Sequence, residues 1–195
     1  MRPALLWTAT GLVALAELAT AALILAPRVD PAYRAYFIER SSDCWPHKTD
    51  GHYALGTTVS FIYGARPDFT PNKICGWFYP GPQGTWSYGS YSLLRFRFAP
   101  AAGPLRLTLT AAGMVDAAHP VQRVAVSANG TPLGTLQFGT AAALQSLAVP
   151  AALAATGDIE LRFDYPDARP GTEIGPNEDS HLRAIRAVTL TLAPA

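Results

Sequence analysis

Charge is scarce in this chain. Only 15% of its 195 residues are Asp, Glu, Lys or Arg, against about 25% in an average soluble protein. The 15 basic and 14 acidic residues nearly cancel, to a net charge of +1. No stretch gathers the positive charge that nucleic acid demands, so that partner class is excluded. Cysteine is scarcer still: there are two, with neither C-x-x-C nor zinc-finger spacing. Beyond residue 26 there is no long amphipathic helical pattern and no strand–helix alternation. That excludes a helical bundle and a doubly wound sheet. Disorder is excluded by what is plentiful, since 49% of the residues are hydrophobic and 10% aromatic. The 17 prolines and 16 glycines call for many turns.

The one long apolar run is 4–26, ALLWTATGLVALAELATAALILA, with Glu17 its only charge. Its 23 residues would span about 34 Å as a helix, enough for a ~30 Å hydrocarbon core. Arg2 precedes it, and Pro27 and Arg28 end it. A cleavable signal peptide is the rival reading, with Ala19-Thr20-Ala21 as the small-x-small site. The apolar run continues through Leu23, Ile24 and Leu25, which fits an uncleaved signal anchor better. Either reading exports the rest of the chain. A carboxylate in mid-span is costly, and the small residues around Glu17 allow close packing, so Glu17 is a candidate contact to a partner helix. In an oxidising compartment Cys44 and Cys75 are expected to form a disulfide. His47 and His52 lie near Cys44, but the set matches no metal pattern, and no metal or other cofactor is expected.

The exported part reads as strands. Tyr53, Leu55, Val59, Phe61 and Tyr63 share one side of an extended chain, and 64–73 reads as a loop. Strict alternation follows: Leu94, Phe96 and Phe98 in 92–98, then Leu105, Leu107 and Leu109 in 105–110. Val124 and Val126 precede a hairpin signal at Asn129-Gly130, and Leu136 and Phe138 follow it. Leu147 and Val149, then Ile159, Leu161, Phe163 and Tyr165, then Val188, Leu190 and Leu192 complete the inward set. Eight or nine strands, with 150–157 a helical turn or a loop, predict an all-β, antiparallel β-sandwich of jelly-roll type, preceded by one N-terminal transmembrane helix. The expected division is an anchor over 1–27, a juxtamembrane linker over 28–52 with Tyr33, Tyr36, Phe37 and Trp45, and a sandwich over 53–195.

Catalytic signatures are absent. Residues 84–89, GTWSYG, carry one residue too many for a nucleophile elbow and no helix follows, so Ser87 is not expected to be catalytic. Asp164, Asp167, Glu173, Glu178 and Asp179 lie in and before a Gly/Pro-rich stretch. That composition reads as a solvated acidic loop rather than a glycosidase pair or a calcium loop. The candidate with chemistry is aromatic: Trp77, Phe78, Tyr79, Trp86, Tyr88 and Tyr91 fall within 15 residues. Ring faces stack on the C–H face of a pyranose while the polar tips bond its hydroxyls. Trp86 and Tyr88 share parity, so both could equally face the core.

Residues 76–96, GWFYPGPQGTWSYGSYSLLRF, resemble the G-W-x-x-P-E-x-x-G-x-W-S-x-G opening of an exported bacterial β-sandwich domain. Residues 168–192, ARPGTEIGPNEDSHLRAIRAVTLTL, resemble its P-x-E-L-G-x-x-x-D-x-R-x-L-G ending. The hairpin over 124–138 and the segment 149–170 resemble its middle. Gly81, Pro82 and Gln83 stand where that pattern has an acid, and His181 and Arg183 stand near the place of its basic residue. The resemblance is to jelly rolls of the carbohydrate-binding-module kind that accompany glycosyltransferases and other membrane machinery for cell-surface polysaccharides. It implies a non-catalytic accessory role, with Trp86, Glu173, Gly175 and Asp179 as family positions. The expected function is therefore glycan binding or guiding beside a membrane enzyme. Trp77, Tyr79, Trp86, Tyr88, Glu173, Asp179 and Arg183 would contact an oligo- or polysaccharide. The expected location is the inner membrane, single-pass, with the C-terminal domain in the periplasm. The alternative is a structural subunit of a membrane protein complex, without a sugar ligand.

Overall fold

The computed structural model describes residues 3–25, 29–38, 44–173 and 180–195. Helix α1, Pro3–Leu25, comes first. Leu12, Val13, Leu15, Leu18, Leu23 and Ile24 are all exposed on it. At 100° per residue these positions point to every side, so no single stripe faces the sandwich. Among the described residues no helix is long and apolar enough to cross a membrane. A short turn, α2 (Pro31–Tyr33), continues as a π-helical turn, Arg34–Ile38. Asp30 caps it, accepting a 2.8 Å bond from the amide of Ala32.

The rest is a sandwich of two antiparallel sheets. One contains β1 (Thr58–Ser60), β12 (Ile185–Pro194), β5 (Leu105–Gly113) and β8 (Ala143–Val149) in that order, with β3 (Thr85–Trp86) also on β12. The other runs β2 (Lys73–Cys75), β4 (Tyr91–Arg97), β9 (Asp158–Asp164), β6 (Gln122–Ala128), β7 (Thr131–Phe138). A two-stranded ribbon joins β10 (Arg169–Pro170) to β11 (Leu182–Arg183), and α3 (Ala151–Ala154) fills the β8–β9 connection.

Period-2 alternation puts Leu94, Phe96, Leu105, Leu107, Leu109, Val124, Ile159, Leu161 and Phe163 inside, all fully buried. The expected hairpin is present, with Asn129 at φ 48° and Gly130 at φ 77°. Asn129 also ties the hairpin to β9, accepting from Glu160 N at 2.7 Å and donating to Asp158 O at 2.9 Å. The sheet edges β7 and β8 meet through Gln145, whose side-chain oxygen accepts from Gln137 N at 3.1 Å while its amide donates to Gln137 O. That clamp satisfies both backbone groups of Gln137 on the β7 edge.

Three expectations fail for local reasons. Tyr63 does not share the inward side of Phe61: the last bond to β12 is from Phe61 N to Val188 O, the chain turns, and Tyr63 is 78% exposed. The loop 64–73 is not merely surface. Its Phe69 is buried and stacks on Phe61 at 4.2 Å, because the loop folds back along β1 through Phe69 N to Ser60 O and Ser60 N to Pro67 O. Val188 is only half-buried, because β12 has a bulge between Ala187 and Thr189 that shifts the inward set to Ile185, Ala187, Leu190 and Leu192.

Candidate functional site

Three short segments lie side by side at one end of the sandwich. Phe78 N donates to Trp86 O at 2.9 Å and Tyr88 N to Gly76 O at 2.8 Å, pairing 76–78 with 86–88. Ser87 N donates to Ile185 O at 2.8 Å and Gly89 N to Leu182 O at 2.9 Å, adding 182–185 on the other side. Glycine makes this arrangement possible. Gly76 has φ 75°, and a Cβ there would stand 2.3 Å from Tyr91 O. Gly84 has φ 123°, and its Cβ would stand 2.2 Å from Ala187 O.

Across this patch the alternation buries Trp77 and Ser87 and turns Phe78, Trp86 and Tyr88 outward. Trp77 is therefore corrected from a glycan contact to a core residue. It is 4% exposed and packs on Phe61 at 5.0 Å, Phe163 at 5.9 Å and Phe69 at 6.1 Å. Ser87 is structural: its hydroxyl accepts from Ala184 N at 2.9 Å and Ile185 N at 3.2 Å. Beneath it Ser92 and Tyr165 share a buried hydroxyl–hydroxyl bond, and burial pushes the Tyr165 phenol upward.

The outward rings alternate with cations. Arg186 stands over Trp86 at 5.7 Å. Arg183 lies between Trp86, at 5.9 Å, and Phe78, at 5.1 Å. Phe78 stacks with Tyr88 at 5.9 Å, and Tyr88 with His181 at 4.5 Å. Tyr79, 80% exposed, meets Phe78 edge-on at 5.5 Å and carries Lys73 Nζ over its ring at 6.0 Å. Gln83 accepts a hydrogen bond from Arg186 Nη1 and adds an exposed amide to the strip. The ladder Arg186–Trp86–Arg183–Phe78–Tyr88–His181 is a half-buried, preordered surface that offers ring faces and hydrogen-bond donors together.

Beside it opens a cleft of about 400 Å³, lined by Tyr36, Trp45, His47, Lys73, Phe78 and Tyr79 among others. The disulfide Cys44–Cys75, with Cα atoms 5.1 Å apart, staples the linker to β2 at this point, as expected from the two cysteines. Burial lowers the Lys73 pKa.

The other expected contacts divide. Tyr79, Trp86, Tyr88 and Arg183 come together on the strip. Glu173 is exposed at the end of the turn Gly171–Glu173 and makes no hydrogen bond or ion pair to the strip among the described residues. Asp179, like Gly175 and Glu178, lies outside the described residues. Glu17 is exposed on α1. Phe78 belongs to the expected aromatic cluster but not to the expected contacts, and Arg186 and Lys73 belong to neither. The signal that would have found Phe78 is its parity opposite to Trp77. Among the described residues no three His, Cys, Asp or Glu side chains converge as a metal site.

No family model matches this chain, and no curated protein matches it. Among solved structures it is similar to the CBM36-1 domain of a multidomain xylanase from the hindgut metagenome of Trinervitermes trinervoides. The identity is 16% and the TM-score 0.41, over 71% of this chain and 97% of that one. It is similar also to a carbohydrate-binding module CBM36 in complex with calcium and xylotriose, at 17% identity and TM-score 0.40, over 70% and 99%. The insecticidal delta-endotoxin Cry8Ea1 from Bacillus thuringiensis matches at 10% identity and TM-score 0.37, over 56% of this chain and 20% of that one.

Proposed function

We propose that this chain is a non-catalytic, membrane-anchored domain that binds a saccharide on the strip of Phe78, Tyr79, Trp86 and Tyr88, outside the cytoplasm. The observation that carries the reading is the outward set of rings with Arg183 and Arg186 laid over them. A pyranose needs an apolar plane for its C–H face and fixed donors for its ring-edge hydroxyls; the exposed Tyr79 ring offers the first, and Arg183 and Arg186, seated on Phe78 and Trp86, offer the second. The anchor rests on the sequence, the 23-residue apolar run 4–26 with Glu17 its only charge, and on the exposed apolar side chains of α1. The disulfide fits an oxidising compartment, which in a bacterium is the periplasm.

The test is a glycan array probed with the full-length chain in detergent, followed by titration of any hit. Trp86→Ala and Tyr79→Ala are expected each to weaken binding by about tenfold, as loss of one stacking ring costs roughly 1–3 kcal/mol. Absence of any glycan signal from the folded chain would overturn the reading. A second reading, a structural subunit of a membrane complex, is favoured by one observation: Glu17 is exposed on an otherwise apolar helix. It predicts that Glu17→Leu releases a stoichiometric partner from the purified complex, and it fails if the full chain purifies alone from its native membrane.

A further inference from the structure

Outside α1, eight large apolar side chains are exposed among the described residues. Four of them, Tyr33, Phe37, Phe78 and Tyr79, fall on one surface. Ring contacts make that surface continuous. Tyr33 meets Phe37 at 4.8 Å, Phe37 meets Trp45 at 4.9 Å, and Tyr36 meets Trp45 at 5.8 Å. Tyr36 and Trp45 then form one wall of the cleft whose other wall is Phe78 and Tyr79. Four of the contributing residues are Tyr or Trp, whose apolar rings and polar tips suit the boundary between hydrocarbon and water.

No Asp or Glu lines the cleft, while Lys73 does. Elsewhere on the sandwich several basic groups sit against a carboxylate: Arg95 and Arg97 share Asp158, Arg123 pairs with Asp167, Arg162 with Asp164 and Arg169 with Asp116. Lys73 has no ion pair among the described residues and stands over the Tyr79 ring. Chain continuity places the surface. The turn at Pro31 begins six residues after α1 ends at Leu25. A fully extended chain of that length reaches at most about 21 Å. The disulfide then holds the linker end of the surface onto β2.

We propose that the aromatic surface of the linker, Tyr33, Tyr36, Phe37 and Trp45, with Lys73, is the footprint of the domain on the bilayer that holds α1, with phospholipid phosphates as the partner of Lys73. The proposal rests on the anchored reading above. It places the mouth of the cleft at the headgroup layer and leaves Tyr79, Trp86, Arg183 and Arg186 as the part of the strip that faces away from the lipid. A ligand reaching the strip would then be met at the membrane surface.

The experiment uses the full-length chain labelled with 5-fluorotryptophan and reconstituted in vesicles of phosphatidylcholine, with and without phosphatidylglycerol. The four tryptophans, Trp7, Trp45, Trp77 and Trp86, give separate reporters. A lipid carrying a nitroxide on its headgroup is added and the relaxation of each fluorine is read. The proposal expects strong relaxation of Trp7 and Trp45 and weaker relaxation of Trp77 and Trp86. It also expects Lys73→Gln to lower the docked fraction about fivefold in the anionic vesicles and not in the neutral ones. Relaxation at Trp7 without relaxation at Trp45 overturns the footprint and leaves the anchor standing. Relaxation at neither overturns both. An unchanged docked fraction in Lys73→Gln overturns the phosphate contact.

Discussion

Trp77 and Trp86 are nine positions apart and do opposite work. Trp77 closes the aromatic core between Phe61, Phe69 and Phe163. Trp86 is clasped by two guanidinium groups on the surface. Trp77→Ala is therefore expected to cost about 3–5 kcal/mol of stability. Trp86→Ala should cost about 1–2 kcal/mol, the worth of the two cation–π contacts, and should act on binding instead. Urea unfolding of both variants, alongside glycan titration of Trp86→Ala, checks the split. If both lose stability equally, the surface assignment of Trp86 is wrong. Composition could not separate the two residues, since tryptophan serves both uses. Parity could in part: Trp86 and Tyr88 do share a side, but which side is set by the three-way pairing of 76–78, 86–88 and 182–185, and that pairing is tertiary.

Among the elements, the long strands were legible and the short ones were not. β4, β5, β6 and β9 run seven to nine residues, long enough for alternation to show. β1, β2, β3, β10 and β11 run two or three, below any period. Of these, β2, β3 and β11 carry the site, and glycines and a covalent bond hold them instead of long ladders. Gly76→Ala must give up the left-handed backbone and drive a methyl into Tyr91 O. A loss of more than about 2 kcal/mol is expected, read from the denaturant midpoint. Replacing Cys44 and Cys75 by serine opens a loop with a sequence separation of 31 residues. In the chain-entropy model that costs about 3–4 kcal/mol. The same variant should free the linker, so proteolysis between 29 and 44 is expected to quicken even where the sandwich remains folded.

At the scale of the whole molecule, ion pairs tie distant parts of the sandwich together and make its stability pH-dependent on the acid side. Arg169 and the amide of His119 hold the Asp116 carboxyl down at about 2. Asp158 is lowered by its bonds to Arg95 and then Arg97, and Asp167 by Arg123. Each pair joins separate elements: β5–β6 loop to β10, β9 to β4, and the segment after β9 to β6. A carboxylate whose folded pKa lies below its unfolded value gives stability above the unfolded value. That stability is lost as pH falls toward the folded one. With an unfolded value near 3.8 for Asp116, its share should be complete at neutral pH and begin to fade below about pH 4, where an unfolded aspartate takes up its proton. By about pH 2 most of it should be gone. The urea midpoint is therefore expected to stay level from neutral pH to about 4 and then to drop between about 4 and 2. Asp116→Asn should flatten the lower part of that drop, while leaving the glycan titration at neutral pH as it was, because Asp116 makes none of the contacts of the aromatic strip. An Asp116→Asn midpoint that falls as steeply as the parent's would remove Asp116 from the acid response and leave Asp158 and Asp167 to account for it.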